Sequence, residues 1–407
     1  MPINRRVLTM GAAEDLCTTL FAPSAERVGL ELEWPVHRRG NAAVRPTPAE
    51  MSRLGQRRLP AGGRVTFEPG GQIELSTAPQ CGVSAALEAV GADERALKAE
   101  LAQAGLVAET MPVDDRRAPQ RVRTLARYAA MERFFSAQGP NGAWMMCNTA
   151  STQINISHDG NDPCQRWLTL HLVAPVLIAA FANSPGTGLD GTRWASLRQG
   201  IWWSIDRGRT RPVRTDLPPA RAWLQYALAA DVMFINRDGS QGDDGIALSP
   251  GLPFGHWMAR GHPVGWPTAE DFRYHLSTLF PPIRPRGWLE LRILDALPGW
   301  IRDVATLTVA ASCTGQAGHE LRRRLPSTRQ LWVPAARHGL RHPVLHTAAR
   351  ELFAVVSDNV GRVSDHQDHA DLLQAYRSAY VGPGRTPGDD HGRAADLRTP
   401  VAALTGG

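Results

Sequence analysis

Lysine is all but missing from this chain: Lys98 stands alone among 45 lysine and arginine residues. A P-loop sets a lysine against its phosphates and a pyridoxal enzyme needs one for its Schiff base, so neither chemistry fits. Any phosphate bound here must be met by arginine and metal ions. Cysteine is also sparse. Cys17, Cys81, Cys147, Cys164 and Cys313 are odd in number, far apart and never spaced C-x-x-C, which argues against a disulfide framework and a zinc site. No apolar run suits a bilayer: residues 1–20 hold no signal-like core, and 168–182 is short and broken by His171. The expectation is a soluble, cytoplasmic protein with no membrane partner.

Other familiar signals are lacking too. There is no H-E-x-x-H and no G-x-S-x-G, and the histidines show no metal spacing. His275 reads as a structural histidine or a substrate contact. The net charge of +6 is spread thinly, and the densest run, Arg322-Arg323-Arg324, reads as a solvated helix end, so nucleic acid is not an expected partner. Gly186-Thr-Gly188-Leu-Asp-Gly191 has dinucleotide-binding spacing but follows a helical stretch and Asn183-Ser184-Pro185, which makes it a loop.

What is present is a chain of 407 residues, 43% hydrophobic, able to bury a large core. Apolar periodicity predicts helices at 12–21, 83–104, 124–135, 163–182, 221–232, 269–279, 300–312, 343–360 and 369–380. Asp162 and Pro163 supply the cap and first turn of one of them. Residues 382–407, rich in Gly, Pro, Asp and Arg, read as a flexible tail behind a single domain spanning 1–381.

Four stretches alternate instead with the period of a strand. In 27–37, Val28, Leu30, Leu32, Trp34 and Val36 share a face and leave Glu31 and Glu33 on the other. In 64–77 the turn Pro69-Gly70-Gly71 separates two halves of a hairpin, with Glu68 before it and Gln72 and Glu74 after it. Gln153 and Asn155 alternate with apolar residues in 149–157, as do Glu290 and Arg292 in 288–294. Any one of these reads first as an ordinary half-exposed strand. Together they collect Glu31, Glu33, Glu68, Glu74 and Glu290 with hardly an adjacent base, and like charges on one sheet face repel unless cations lie between them. Hard divalent cations that also bridge phosphates suit such a set. Arg292 and the stretch Arg207, Arg209, Arg211 could bind phosphate or carboxylate, or form a polar loop.

The wording of these blocks resembles the second sequence type of glutamate-cysteine ligase, shared by plants and many bacteria. Val28-Gly-Leu-Glu-Leu-Glu33 and Phe67-Glu-Pro-Gly-Gly-Gln-Ile-Glu-Leu-Ser76 carry the likeness. Arg127-Tyr128 with Met131, Thr149-Ala-Ser-Thr-Gln-Ile-Asn155, Trp202, Asp206 and Arg209 within 198–210, and His275-Leu-Ser-Thr-Leu-Phe-Pro281 before Glu290-Leu-Arg292 follow in family order. The resemblance implies an α+β, glutamine-synthetase-like fold, in which a curved antiparallel sheet forms a funnel with helices packed outside. It implies that ATP phosphorylates the γ-carboxylate of glutamate and that the amine of cysteine then displaces phosphate, giving γ-glutamylcysteine and ADP. It makes Glu31, Glu33, Glu68, Glu74 and Glu290 the ligands of Mg2+. Gln72, Gln153, Asn155, Arg198, Trp202 and Arg292 would bind substrate or nucleotide, and Arg292 and Arg209 would be catalytic. Ile293-Leu294 stand where many relatives have Gly-Ala, which is expected to reshape the acceptor pocket. The arginine-rich composition resembles the actinobacterial branch, which supplies γ-glutamylcysteine for ergothioneine. A carboxylate-amine ligase of the same superfamily with another amine acceptor is the alternative.

Overall fold

The alternating segments pair with one another. The computed structural model describes residues 6–54, 58–158, 162–236, 245–325 and 328–398. In it β1 (Val28–Trp34), β2 (Arg64–Phe67), β3 (Ile73–Ser76), β4 (Ser151–Ser157), β5 (Ile283–Pro285) and β6 (Trp288–Asp295) form one sheet in the order β5-β6-β4-β1-β3-β2. Every ladder in it is antiparallel. Helices cover one face, so the architecture is α+β.

Burial fixes which face is which. Val28, Leu30, Leu32, Trp34, Ile73 and Leu75 pack on Ala86, Val90, Leu97 and Leu101 of α1 (Val83–Gln103). Ile154, Ile156, Leu289 and Leu291 join a larger core with α2 (Pro163–Ala180), α3 (Gly299–Ser312) and α4 (Pro343–Asn359). Each such side chain contributes roughly 1.5–3 kcal/mol by leaving water. A slip of one residue would bury the glutamates instead, which pins the register. Asp162 caps α2 by accepting from the Cys164 amide, and Pro163 occupies its first turn.

Two departures from strict alternation matter. The β4–β6 ladder shifts register between Leu291 and Leu294. Ile293 and Leu294 therefore both enter the core, with about 1% of their surface exposed, and do not reshape a pocket. At the β2–β3 turn, Gly71 has φ +84°, and a Cβ on Gly70 would stand 2.2 Å from the Cys147 carbonyl oxygen. The turn can take this path only with glycine at both places.

The tail expected after residue 381 is docked as far as Arg398; residues 399–407 lie outside the described chain. Arg393 grips Asp115 through two bonds of 2.9 and 2.6 Å, His391 meets Asn183, and Ala395–Asp396 pairs in parallel with Gly186–Thr187. Composition suggested disorder, but the polar residues of this segment find fixed partners on the body. No helix among the described residues is long and apolar enough to cross a membrane.

Candidate active site

The polar face of the sheet forms the floor of a cavity of about 550 Å³, a volume usual for small-molecule sites. Glu31 and Glu33 rise from β1, Glu74 from β3, Gln153 from β4 and Arg292 from β6, with Glu68 at the start of the turn. Arg64, Arg127, Arg284 and Arg286 complete the charged lining. A second chamber of about 620 Å³ adjoins it and shares Glu31, Arg64, Ser76 and Trp288.

Glu33, Glu68 and Glu74 converge until one carboxylate oxygen from each lies within 4.8 Å of the others. Thr66 and Ser76 both donate to Glu74 Oε1, at 2.6 and 3.1 Å, and neither engages its second oxygen. Burial is the main force raising all three carboxyls above their ordinary range; repulsion from Glu74 and Glu33 adds to it at Glu68 and from Glu33 at Glu74, while Arg198 and Arg292 partly offset it at Glu33. Three hard oxygen donors held this close, and reluctant to ionise together without a cation, fit magnesium.

Glu31 belongs to the cavity but not to that trio. Asn155 donates to it at 3.0 Å, and burial together with the charges of Glu290 and Glu74 pushes it up to about 7. Glu290 departs from the expected role. Arg284 holds both its oxygens, at 2.5 and 2.9 Å, and Arg292 adds a bond of 2.9 Å. Burial opposes its charge, but the two guanidinium groups win and hold it at about 2. An anion so fully engaged is an anchor for Arg292 and no longer a metal donor. The sequence signal for Arg284 was the tight hairpin before β6, whose register sets Arg284 opposite Glu290.

Arg292 is the hub. Its Nη1 also donates to Gln153 Oε1 at 2.8 Å, and Gln153 in turn donates to Glu33 at 2.9 Å. Its guanidinium lies over Trp202 and Phe280. Arg198, with 2% of its surface exposed, sits beneath and donates to the Arg292 carbonyl at 3.3 and 3.2 Å. Gln72 is anchored by the Thr149 and Met146 carbonyls. Among the described residues, Gln72 Oε1, Asn155 Oδ1, Trp202 Nε1 and Arg292 Nε are buried without a partner. Such atoms mark places prepared for a ligand or water.

Arg209 lies elsewhere. It is fully buried, ion-paired with Asp206 at 3.0 Å, and donates to Thr278 and to the Asp231 carbonyl. It is not itself in the cavity lining but ties down the stretch that carries Ser277 and Phe280, which do line it, so its position fits a supporting role and not direct contact with the reacting groups. His275 is buried against the Ala227 carbonyl, and burial pushes its ring down to about 3, the state of a neutral structural histidine.

The profile of glutamate-cysteine ligase family 2 matches residues 27–397, from the start of β1 to the docked C-terminal segment. The chain belongs to this family. It is 40% identical over 391 residues to the glutamate–cysteine ligase EgtA of Mycolicibacterium smegmatis, a match covering 93% of this chain and 89% of that one. The EgtA of Mycobacterium tuberculosis H37Rv is 35% identical over 363 residues, covering 85% and 83%. A chloroplastic glutamate–cysteine ligase of Brassica juncea is 29% identical over 307 residues, covering 71% and 56%. Among solved structures, a bifunctional glutathione synthetase from Pasteurella multocida superposes with a TM-score of 0.56 at 12% identity, covering 98% of this chain and 54% of that one. At that identity the likeness speaks for the fold alone.

Proposed function

We propose that the cavity joins the γ-carboxylate of glutamate to the amine of cysteine at the expense of ATP, giving γ-glutamylcysteine, ADP and phosphate. The observation that carries the reading is the convergence of Glu33, Glu68 and Glu74 beside Arg292. A magnesium ion held by those carboxylates would supply charge neutralisation for the phosphates of the nucleotide.

A carboxylate is a poor acyl donor. The γ-carboxylate oxygen therefore attacks the terminal phosphorus of ATP, ADP leaves, and the acyl phosphate that forms carries a good leaving group. The cysteine amine adds to its carbonyl carbon, phosphate departs with the bonding pair, and the amine gives up a proton. Arg292, fixed by Glu290 and Gln153, presents its charge to a substrate carboxylate or the moving phosphoryl without having to reorganise. Glu31, pushed up to about 7 chiefly by burial, lines both chambers, which suits it to receive the amine proton. The two adjoining chambers offer room for a nucleotide and an amino acid at once. Likeness to the EgtA ligases supports a place in the supply of γ-glutamylcysteine for ergothioneine.

The test is a reconstitution with purified protein. ADP is expected only when ATP, magnesium, glutamate and cysteine are all present, with γ-glutamylcysteine found by mass spectrometry. Turnover with another amine and none with cysteine would move the protein to the related carboxylate-amine ligases.

A further inference from the structure

The glycine-rich stretch that resembles a dinucleotide motif has a different use. Gly186–Thr187 and Arg193–Trp194 pair as a short hairpin, and the docked C-terminal strand Ala395–Asp396 extends it. This small sheet walls a groove of about 510 Å³ outside the active cavity, closed on another side by Arg337 and Arg341. Among the described residues, Arg193 and Arg398 complete a set of four arginines, and no carboxylate side chain lines the groove.

Two of the four charges are balanced nearby, Arg341 by Asp389 and Arg398 by Asp396. Arg193 and Arg337 have no carboxylate at ion-pair distance among the described residues. Asp190, on the same hairpin, accepts from the amide and hydroxyl of Thr192 at 2.9 Å each; its charge acts on Arg337 through space but makes no direct contact with it. Two guanidinium groups without a direct carboxylate partner, beside two more arginines on one concavity, leave it net positive and attract an anion with two negative charges. The indole of Trp194 is already occupied: Arg337 lies over it, and a Cβ on Gly200 would come within 2.5 Å of its ring. A nucleobase would find no free ring to stack on, so the ligand is a compact oxyanion.

We propose that this groove binds a small dianion, either a phosphate group or a dicarboxylate. It lies directly behind active-site residues. The amides of Ala195 and Ser196 donate to the Ala336 carbonyl, next to Arg337. Ser196 caps the helix Leu197–Trp203, which carries Arg198 and Trp202, and its hydroxyl also donates to Asp295 at the end of β6. A bound anion would therefore rest against the backbone that sets this helix, as an effector rather than a substrate.

The experiment is calorimetric titration of the full chain, without nucleotide or magnesium, using inorganic phosphate, pyrophosphate and succinate separately. At least one is expected to bind. Arg193→Gln with Arg337→Gln should weaken that binding about tenfold or more while the melting temperature is retained, since each lost charge-assisted contact is of that order. Binding of the two phosphates alone assigns a phosphoryl ligand, and equal binding of succinate assigns any compact dianion. Should the double variant fail to fold, Arg193→Gln alone is used, because that side chain makes no ion pair among the described residues. Binding unchanged in the variant, or no binding by the native protein up to about 10 mM of each probe, overturns the proposal.

Discussion

Glu33 and Glu74 stand directly opposite each other across the β1–β3 ladder. Two carboxylates so placed cost a sheet roughly 0.2–1 kcal/mol when both are charged. Such a pair, with Glu68 added to it, is what the proposed magnesium site would require at a cost in stability. Glu33→Gln and Glu74→Gln should each leave the metal-free protein as stable as before, or slightly more so, while reducing ligase turnover by about a hundredfold or more. Thermal melts without magnesium, set beside steady-state rates with it, check both halves. A clear loss of metal-free stability in both variants would contradict the site.

Burial, with the crowding of the carboxylates added to it, gives magnesium binding a pH dependence of definite sign. A carboxyl whose folded value is raised keeps its proton after the unfolded chain has lost its own. Its stabilising contribution is complete below the ordinary value of 4.5 and disappears as pH rises through the folded value, about 7 for Glu31. Glu33, Glu68 and Glu74 shift in the same direction. Glu290 shifts the opposite way, but its window lies between 4.5 and about 2, below the range of interest. The metal-free melting temperature should therefore fall between about pH 5 and 8, and magnesium, which requires ionised ligands, should offset that fall. Melting curves across this range, with and without the ion, should diverge as pH rises. A gap that narrows would count against the trio as its binding site.

Glu290 should behave unlike its neighbours. Replacing it with Gln leaves Arg284 and Arg292 buried and close together without their shared anion. Removing one partner of such a buried set costs about 3–5 kcal/mol. Urea unfolding of Glu290→Gln should show a loss of that order, together with lost activity, whereas Glu33→Gln should lose activity alone. Equal stability in the two variants would mean that Glu290 is not the anchor described above.

How much of this was legible beforehand depended on whether a residue's partner lay in its own periodic segment. Strand alternation put Glu31 and Glu33 on one face, and the Pro69-Gly70-Gly71 turn brought Glu68 to Glu74, because period and turn chemistry are local. Helices with one polar side, such as α1 and α4, were visible for the same reason. The helix Asn141–Asn148 was not: Trp144, Met145, Met146 and Cys147 are all buried, so no polar stripe marked its period. The partners of Glu290 and Arg209 were not legible, because sequence supplies a residue's charge but not what faces it, and both are ion-paired inside the protein. Spacing cannot separate a free charge from a satisfied one. The C-terminal segment was misread by composition, since glycine and proline there serve turns that deliver Arg393 and Leu397 to fixed seats.

That segment leads to the last prediction. The side chain of Asp115 is 3% exposed, and its oxygens accept from the Arg393 guanidinium and the Asp396 amide. Leu397 is buried as well, in the same apolar cluster as Leu197 and Ile201 of the helix that carries Arg198 and Trp202. Cutting the chain after residue 381 would leave a carboxylate without its donors, roughly 1–3 kcal/mol for the unmet bonds, and would uncover the packing surface of that helix. The truncated protein should melt several degrees lower and lose most of its activity. Adding Asp115→Ala to the truncation should recover part of the stability, because the orphaned charge is then gone, but not the activity, because the helix remains unsupported. A truncated protein with native melting and native turnover would show the segment to be dispensable.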